Sequence, residues 1–120
     1  MSIRGPYSIA IKYNDLLFVS GQGAFIGSSN DIATTIKEQT HQTLINIKRI
    51  LDDSGSSVSK IVKATVYLKD IKDFETMNKA YTQFFDENGL KNLYPARTTI
   101  SCQLPKSEML IEIDVIAAIH

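Results

Sequence analysis

Residues 109–118 read MLIEIDVIAA and alternate between two kinds of side chain. Successive side chains of a strand point to opposite faces, so the odd-numbered residues form one wholly apolar face of a predicted strand. The even-numbered residues form the other face, where Glu112 and Asp114 stand among Leu, Ile and Ala. The apolar face predicts a core covered by helices. The mixed face is typical of an interface between subunits, and a plain exposed sheet face is the alternative.

Four more strands are predicted upstream of this one. They cover residues 8–13, 16–21, 61–69 and 97–102. Asn14-Asp15 is a turn signal that predicts a hairpin between the first two strands. In the strand at 61–69, alternation predicts one set of residues that faces the core. Its members are Val62, Ala64, Val66 and Leu68.

Two helices are predicted by apolar residues that recur every three or four positions. The first covers residues 34–53, and the second is capped by Asp70 or Asp73 and runs to about residue 86. The expected buried faces consist of Ile36, Thr40, Leu44, Ile47 and Leu51 in the first helix and of Phe74, Met77, Tyr81 and Phe84 in the second. The order ββ–α–β–α–ββ predicts one α+β domain over residues 1–120, with a mostly antiparallel sheet and both helices on one face.

Composition argues against several classes of function. The 120-residue chain has 13 basic and 13 acidic residues, whereas nucleic-acid binding draws on clustered positive charge. No apolar run approaches the ~20 residues that span a bilayer. Cys102 is the only cysteine, so an internal disulfide and a cysteine-rich metal site are both ruled out. We therefore expect a cytoplasmic protein with no metal, no nucleic-acid partner and no membrane association.

Four short motifs occur in order along the chain. They are Gly5-Pro6-Tyr7, Ser20-Gly21-Gln22, Pro95-Ala96-Arg97 and Ile111-Glu112-Ile113-Asp114. Together with the helix and strand patterns between them, these motifs resemble the reactive intermediate deaminase family, or RidA/YjgF family. The similarity extends over residues 5–118, which is nearly the whole chain.

The resemblance implies a chorismate-mutase-like α+β fold and a homotrimer with its active sites in clefts between subunits. The implied reaction is the hydrolysis, without a cofactor, of 2-iminobutanoate and 2-iminopropanoate to 2-keto acids and ammonia. The alternative is a non-catalytic regulatory module that binds small carboxylates on the same trimeric scaffold, because a family can keep its fold and change its use.

Arg97 and Glu112 are the main candidates for the site. A planar guanidinium binds a carboxylate through two parallel hydrogen bonds, and the resemblance assigns Arg97 to the substrate carboxylate. It places Glu112 near the imine carbon, where a carboxylate can orient water, relay its proton and stabilise an iminium. From the residues alone, the alternative for Arg97 is a surface or interface arginine paired with Glu112 or Asp114. The alternative for Glu112 is an interface salt bridge.

Four further residues complete the site that the resemblance implies. Tyr7 and Ser20 would act in catalysis by steering water and ammonia with their hydroxyl groups. Gly21 would let the backbone approach the substrate, and the backbone at Thr99 would contact it. One departure from the family concerns pocket shape, because residues 23–25 read Gly-Ala-Phe where an aliphatic residue and proline are usual.

Overall fold

The computed structural model describes residues 5–120, and these form an α+β fold. The strands are β1 (Ala10–Tyr13), β2 (Leu16–Gln22), β3 (Ile61–Leu68), β4 (Ala96–Ser101) and β5 (Ile111–Ala118). The helices are α1 (Ile36–Asp53) and α2 (Phe74–Glu87), and short 3₁₀ turns cover Val58–Lys60 and Ile71–Asp73. The predicted order is confirmed, and the predicted ends differ from the observed ones by at most three positions.

The strands pair in the order β1-β2-β5-β3-β4, which puts β5 at the centre of the sheet. Every pair is antiparallel except β3 with β4, so the sheet is mostly antiparallel as predicted. In the β1–β2 hairpin Tyr13 pairs with Leu16, and Asn14 adopts the left-handed backbone conformation (φ 53°) that a two-residue turn favours. Since β5 is paired on both sides, the side chains along it are held in a fixed register.

Both helices cover the same face of the sheet, and the core lies between the helices and the sheet. The apolar face of β5 is buried as predicted, with Ile111, Ile113 and Ala117 at 0% exposure. The helix side chains in this core include Leu44, Ile47, Leu51, Met77, Tyr81, Phe84 and Phe85. Glu112 and Asp114, on the other face of β5, are half-buried.

Two predicted core positions are wrong. Val62 is 48% exposed, because the register of β3 against β5 shifts between Ile61 and Lys63 and Ile61 takes the core position instead. Phe74 is 37% exposed at the start of α2, and Phe85 completes the buried stripe of that helix. Alternation in the sequence of one strand does not reveal a local shift against its neighbour.

The two helices begin in different ways. Thr35 caps α1, since its Oγ1 accepts the N–H of Glu38 at 3.2 Å and donates to that residue's Oε1 at 2.9 Å. Asp70 caps the 3₁₀ turn before α2 by accepting the N–H of Lys72 at 2.9 Å. Asp73 stands at the N-cap of α2 itself and makes no side-chain cap. Of the two predicted capping residues, Asp70 is therefore the one that caps with its side chain.

Gln39 is a fully buried polar residue of α1 that positions the start of β5. Its Nε2 donates to the carbonyls of Ala33 at 2.7 Å and Glu108 at 2.9 Å, and its Oε1 accepts the N–H of Leu110 at 2.8 Å. A buried amide is stable only when bonds of this kind satisfy it. They fix the backbone immediately before Glu112, so the helix layer helps to set where that carboxyl group lies.

Candidate active site

A cavity of about 280 Å³ lies where the end of β2 meets the start of β5. Tyr7, Gly21 and Glu112 line it, and all three belong to the motifs that carry the family resemblance. β2 and β5 are antiparallel, so the last residues of one lie beside the first residues of the other. Tyr7 reaches the cavity from the segment before β1 and is 48% exposed. Sheet pairing therefore brings residues from three distant motifs to one place.

The carboxyl group of Glu112 lies directly against Gly21. A Cβ atom added at Gly21 would overlap Oε2 of Glu112 and would lie 2.8 Å from Cδ. The register of β2 against β5 shifts between Val19 and Gln22, and Gly21 lies within this irregularity. Any side chain at position 21 would displace Glu112, so glycine is required here for the space that it leaves.

Burial and a neighbouring carboxylate raise the pKa of Glu112. Burial is the larger cause, because removing a carboxyl group from water disfavours its charged form. Asp114, on the same face of β5, adds like-charge repulsion. Among residues 5–120, no basic side chain forms an ion pair with Glu112. A carboxyl group with a raised pKa exchanges protons nearer to neutral pH, as general acid–base catalysis requires.

Tyr67 and Asp114 form a pair beside Glu112 that the sequence patterns do not predict. Tyr67 pairs with Glu112 across β3 and β5, and its Oη donates to Oδ2 of Asp114 at 2.8 Å. This hydrogen bond, followed by burial, raises the pKa of Tyr67 to about 12. Alternation along β3 indicates only which face Tyr67 occupies, whereas the register between the strands decides its partner.

Ser20 precedes Gly21 and does not line the cavity. Its Oγ donates to the carbonyl of Ser8 at 2.5 Å, and its N–H donates to the carbonyl of Ile9 at 2.9 Å. These two bonds join β2 to the segment that carries Tyr7. In the single chain, Ser20 therefore holds Tyr7 in position, and its hydroxyl group is engaged with the protein.

Arg97 lies on the opposite face of the sheet from Glu112. It pairs with Ala64, which is 3% exposed beneath the helices. Glu112 pairs with Tyr67, three residues further along β3 and therefore on the other face. Within residues 5–120, Arg97 forms no ion pair with Glu112 or Asp114. The alternative pairing considered from the sequence is therefore not formed inside one chain.

The guanidinium group of Arg97 is held by α2. Its Nη2 donates to Oδ1 of Asn78 at 2.6 Å, and its Nη1 lies 3.9 Å from the sulfur of Met77. Its Cζ lies 4.8 Å from the ring centroid of Tyr81 and 5.8 Å from that of Phe74. Aromatic faces attract a cation and orient its plane. None of these partners carries a negative charge, so they position the guanidinium group without neutralising it.

The candidate residues thus form two groups on one chain. Tyr7, Gly21 and Glu112 line the cavity, whereas Arg97 and Thr99 lie on β4, the edge strand at the far side of the sheet. Thr99 shares the face of Arg97 as predicted, because it is two residues further along the strand. One ligand can contact both groups only when β4 of a second copy approaches the cavity.

Residues 5–120 contain no group of three or more His, Cys, Asp and Glu side chains arranged to hold a metal ion. In this same part of the chain, neither helix is long and apolar enough to cross a membrane. The groups that the cavity does present to a ligand are the carboxyl group of Glu112, the phenol of Tyr7 and the ammonium group of Lys106.

Comparison with known proteins identifies the family of this chain. The family model described as Endoribonuclease L-PSP matches residues 1–119. The RutC family protein PYRAB12510 of Pyrococcus abyssi is 41% identical over 114 residues, which cover 94% of this chain and 86% of the relative. The chain belongs to the RidA/YjgF family.

Two Escherichia coli proteins of the RidA/YjgF family have crystal structures similar to this one. TdcF with bound serine gives a TM-score of 0.89 at 34% identity, with 97% of this chain and 90% of TdcF covered. The YjgF gene product gives 0.90 at 33% identity, with 98% and 91% covered. The chorismate-mutase-like fold expected from the motifs is therefore confirmed.

The names within the RidA/YjgF family describe more than one reaction. The family model carries the description of an endoribonuclease. TdcF of Escherichia coli strain K12, which is 36% identical over 114 residues and is covered to 86% of its length, is provisionally named a reactive intermediate deaminase. Membership thus establishes the fold and places the chain in a family in which some proteins are named deaminases. The reaction of this chain has to be argued from its own cavity.

Proposed function

We propose that this protein hydrolyses 2-imino acids, such as 2-iminobutanoate and 2-iminopropanoate, to 2-keto acids and ammonia without a cofactor. The working unit is a homotrimer in which Arg97 of one chain completes the cavity of the next. The observation that carries the proposal is the position of Glu112, whose carboxyl group of raised pKa lies over Gly21 in a small cavity shared with Tyr7.

Arg97 supplies the positive charge that a 2-imino carboxylate needs. The guanidinium group is oriented by Asn78 and Tyr81 and is not neutralised by either, so it can bind the carboxylate through two parallel hydrogen bonds. β4 is an edge strand, so Arg97 lies where a neighbouring chain can reach it. The mixed outer face of β5 is the surface that we expect to meet the neighbour.

In the proposed reaction, water adds to C2 of the imine and ammonia leaves. With the carboxylate on Arg97, C2 lies next to Glu112, whose carboxylate orients the water and accepts its proton as the oxygen bonds to C2. Glu112 passes this proton to the imine nitrogen, which gives the neutral carbinolamine. The carboxylate then accepts the hydroxyl proton as the C2 carbonyl forms and delivers it to the nitrogen as the C–N bond breaks, so that ammonia leaves. Tyr7 holds the water or the leaving ammonia, because a phenol can both donate and accept.

Positioning is sufficient for this chemistry, because imines hydrolyse readily in water. Holding water and imine together replaces an encounter between separate molecules, which lowers the barrier without a covalent intermediate. The serine bound to TdcF is an amino acid with the same type of carboxylate as a 2-imino acid. It supports a small carboxylate as the ligand class for this chain as well.

A trapping assay tests the proposal directly. A threonine dehydratase generates 2-iminobutanoate, semicarbazide traps it, and the protein should lower the rate of trapping. Arg97→Ala should abolish the effect, and Arg97→Lys should restore little of it, because lysine has no planar fork. Arg49→Ala, on the exposed side of α1, is the matched control and should keep full activity. A folded Arg97→Ala variant with full activity would remove Arg97 from the mechanism.

A regulatory module that binds small carboxylates without turnover is the second candidate. It is favoured by the serine in TdcF, which is an amino acid and not an imine. Such a module would bind 2-oxobutanoate in a calorimetric titration and leave the trapping rate unchanged. Sedimentation equilibrium tests the assembly that both candidates share, and the mass of a single chain would leave the cavity without its arginine.

A further inference from the structure

The cavity that contains Glu112 is also lined by apolar side chains. They are Ile9, Phe25, Pro105 and Met109, and we call these four residues the apolar wall. Met109 is 4% exposed, whereas Ile9 and Phe25 are half-buried. The proposed reaction takes place at C2 beside Glu112 and uses none of the four. The part of a 2-imino acid left to meet the apolar wall is its side chain.

Gly23 lets the apolar wall close over the backbone. A Cβ atom added at Gly23 would lie 2.8 Å from Cε of Met109 and 3.5 and 3.6 Å from two ring carbons of Phe25. The methionine methyl group and the aromatic ring therefore occupy the space that a side chain at position 23 would take. The Gly-Ala-Phe sequence at 23–25 departs from the aliphatic–proline pattern that the resemblance leads us to expect here.

Asn46 fixes the backbone that carries Phe25. Its Nδ2 donates to the carbonyls of Gly23 at 3.0 Å and Phe25 at 2.8 Å, and its Oδ1 accepts from Nε2 of Gln42 at 3.0 Å. Asn46 is 2% exposed, so these bonds form away from water. Both polar atoms of the amide are used within the protein. Asn46 therefore holds Phe25 in place and adds no free polar atom to the wall. Among the described cavity residues, the charged group beside Phe25 is that of Lys106, whose Nζ lies 5.2 Å from the centroid of the Phe25 ring.

The cavity of one chain is large beside the smallest 2-imino acids. It measures about 280 Å³, whereas 2-iminopropanoate has only six non-hydrogen atoms. The side chain of 2-iminopropanoate is a single methyl group and would leave water against the apolar wall. A longer apolar side chain would displace that water and bury apolar surface on both partners, which is favourable.

We propose that the apolar wall binds the substrate side chain and makes the protein selective for 2-imino acids with branched aliphatic or thioether side chains, such as those of leucine and methionine. This inference rests on the proposed function, because it concerns the same cavity. One methylene group in an apolar pocket changes kcat/KM by about 10-fold or more. The leucine-derived imine should therefore exceed 2-iminobutanoate in kcat/KM by at least about 10-fold.

The test compares imines generated by one amino-acid oxidase from leucine, methionine, 2-aminobutanoate and glutamate, each trapped with semicarbazide. Phe25→Ala should lower the ratio of kcat/KM for the leucine-derived imine over 2-iminobutanoate by about 10-fold. Gly23→Ala should also lower it, because Cε is the flexible end of Met109 and would move into the cavity. Ile26→Ala is the control, since Ile26 is 54% exposed and lines a different groove.

A second measurement separates this inference from the proposed function. Calorimetric titration of the same variants with 4-methyl-2-oxopentanoate and 2-oxobutanoate reads the side-chain preference without turnover. Equal kcat/KM values for all imines, or the highest value for the glutamate-derived imine, would overturn the apolar wall and leave the hydrolase in place. Absence of turnover together with tighter binding of the larger keto acid would overturn the hydrolase and support the wall. If there is neither turnover nor tighter binding of the larger keto acid, both the hydrolase and the role of the apolar wall are overturned.

Discussion

Arg97 and Glu112 point away from each other across one sheet. Their partners on β3 are Ala64 and Tyr67, and an odd separation along a strand puts two side chains on opposite faces. No change of side-chain rotamer in one chain brings the two groups around one small ligand. A reaction that uses both residues therefore has to take place between two copies of the chain.

Mixed trimers test this requirement. In the proposed trimer, the Arg97→Ala and Glu112→Gln proteins should each keep only a small residual activity in the trapping assay. Protein refolded from an equal mixture should regain about one quarter of the wild-type sites, because each interface in a cyclic trimer pairs one chain's position 97 with the next chain's position 112. Mixing the proteins without unfolding is the control. If refolded mixtures stay at the residual activity, the two residues act within one chain or not in one site.

The pH dependence of kcat/KM should show a limb set by Glu112. The proposed base form is the carboxylate, so activity should rise with pH as Glu112 ionises. Burial and Asp114 raise the pKa of Glu112, and in the proposed trimer the Arg97 guanidinium group of the next chain opposes that shift. Asp114 is one cause of that shift, so Asp114→Asn should move the limb to lower pH. Tyr67→Phe leaves both carboxyl groups in place and is the comparison for loss of the hydrogen bond alone. If the limb stays at the same pH in Asp114→Asn, it reports the titration of a group other than Glu112.

Sequence pattern predicts the elements of this protein better than their relation to one another. The alternation in residues 109–118 is sufficient to predict a strand with one buried face and one mixed face, and pairing with its neighbours puts that strand at the centre of the sheet. The short motifs bring Tyr7, Gly21 and Glu112 into one candidate site, and the structure places all three around one cavity.

The remaining features depend on register, which one strand's sequence does not contain. The shift beside Ile61 turns Val62 outward, and pairing across two strands joins Tyr67 to Asp114. Alternation defines two faces for each strand but does not say which face of β4 matches which face of β5. The separation of Arg97 from Glu112 could for that reason not be predicted from their motifs.

In an Arg97→Ala background, which removes the guanidinium group that a neighbouring chain would bring to the cavity, Glu112→Gln should stabilise the protein at neutral pH. The folded protein raises the pKa of Glu112 and so binds its proton more tightly than the unfolded chain does. The free energy of unfolding therefore falls as pH rises from the ordinary carboxyl pKa of 4.5 through the raised value. Glutamine does not ionise, so the variant should be the more stable at pH 7, and the difference should vanish below the ordinary pKa.

Urea unfolding at several pH values measures this difference. Glu75→Gln, on an exposed position of α2, is the matched control and should show no such dependence. A Glu112→Gln change that lowers the stability of the Arg97→Ala protein at pH 7 would contradict the prediction.

Gly21→Ala should lower activity through Glu112 and not through the fold. The added Cβ would overlap the carboxyl group, which sits at the end of a flexible side chain and can move aside. A displacement of ~1 Å in a catalytic group costs on the order of 100-fold in rate. If the effect acts through Glu112, then Gly21→Ala should cause no further loss in a Glu112→Gln background, because the two changes share one partner. Multiplicative losses in the double variant would instead show that Gly21 contacts the substrate independently of Glu112.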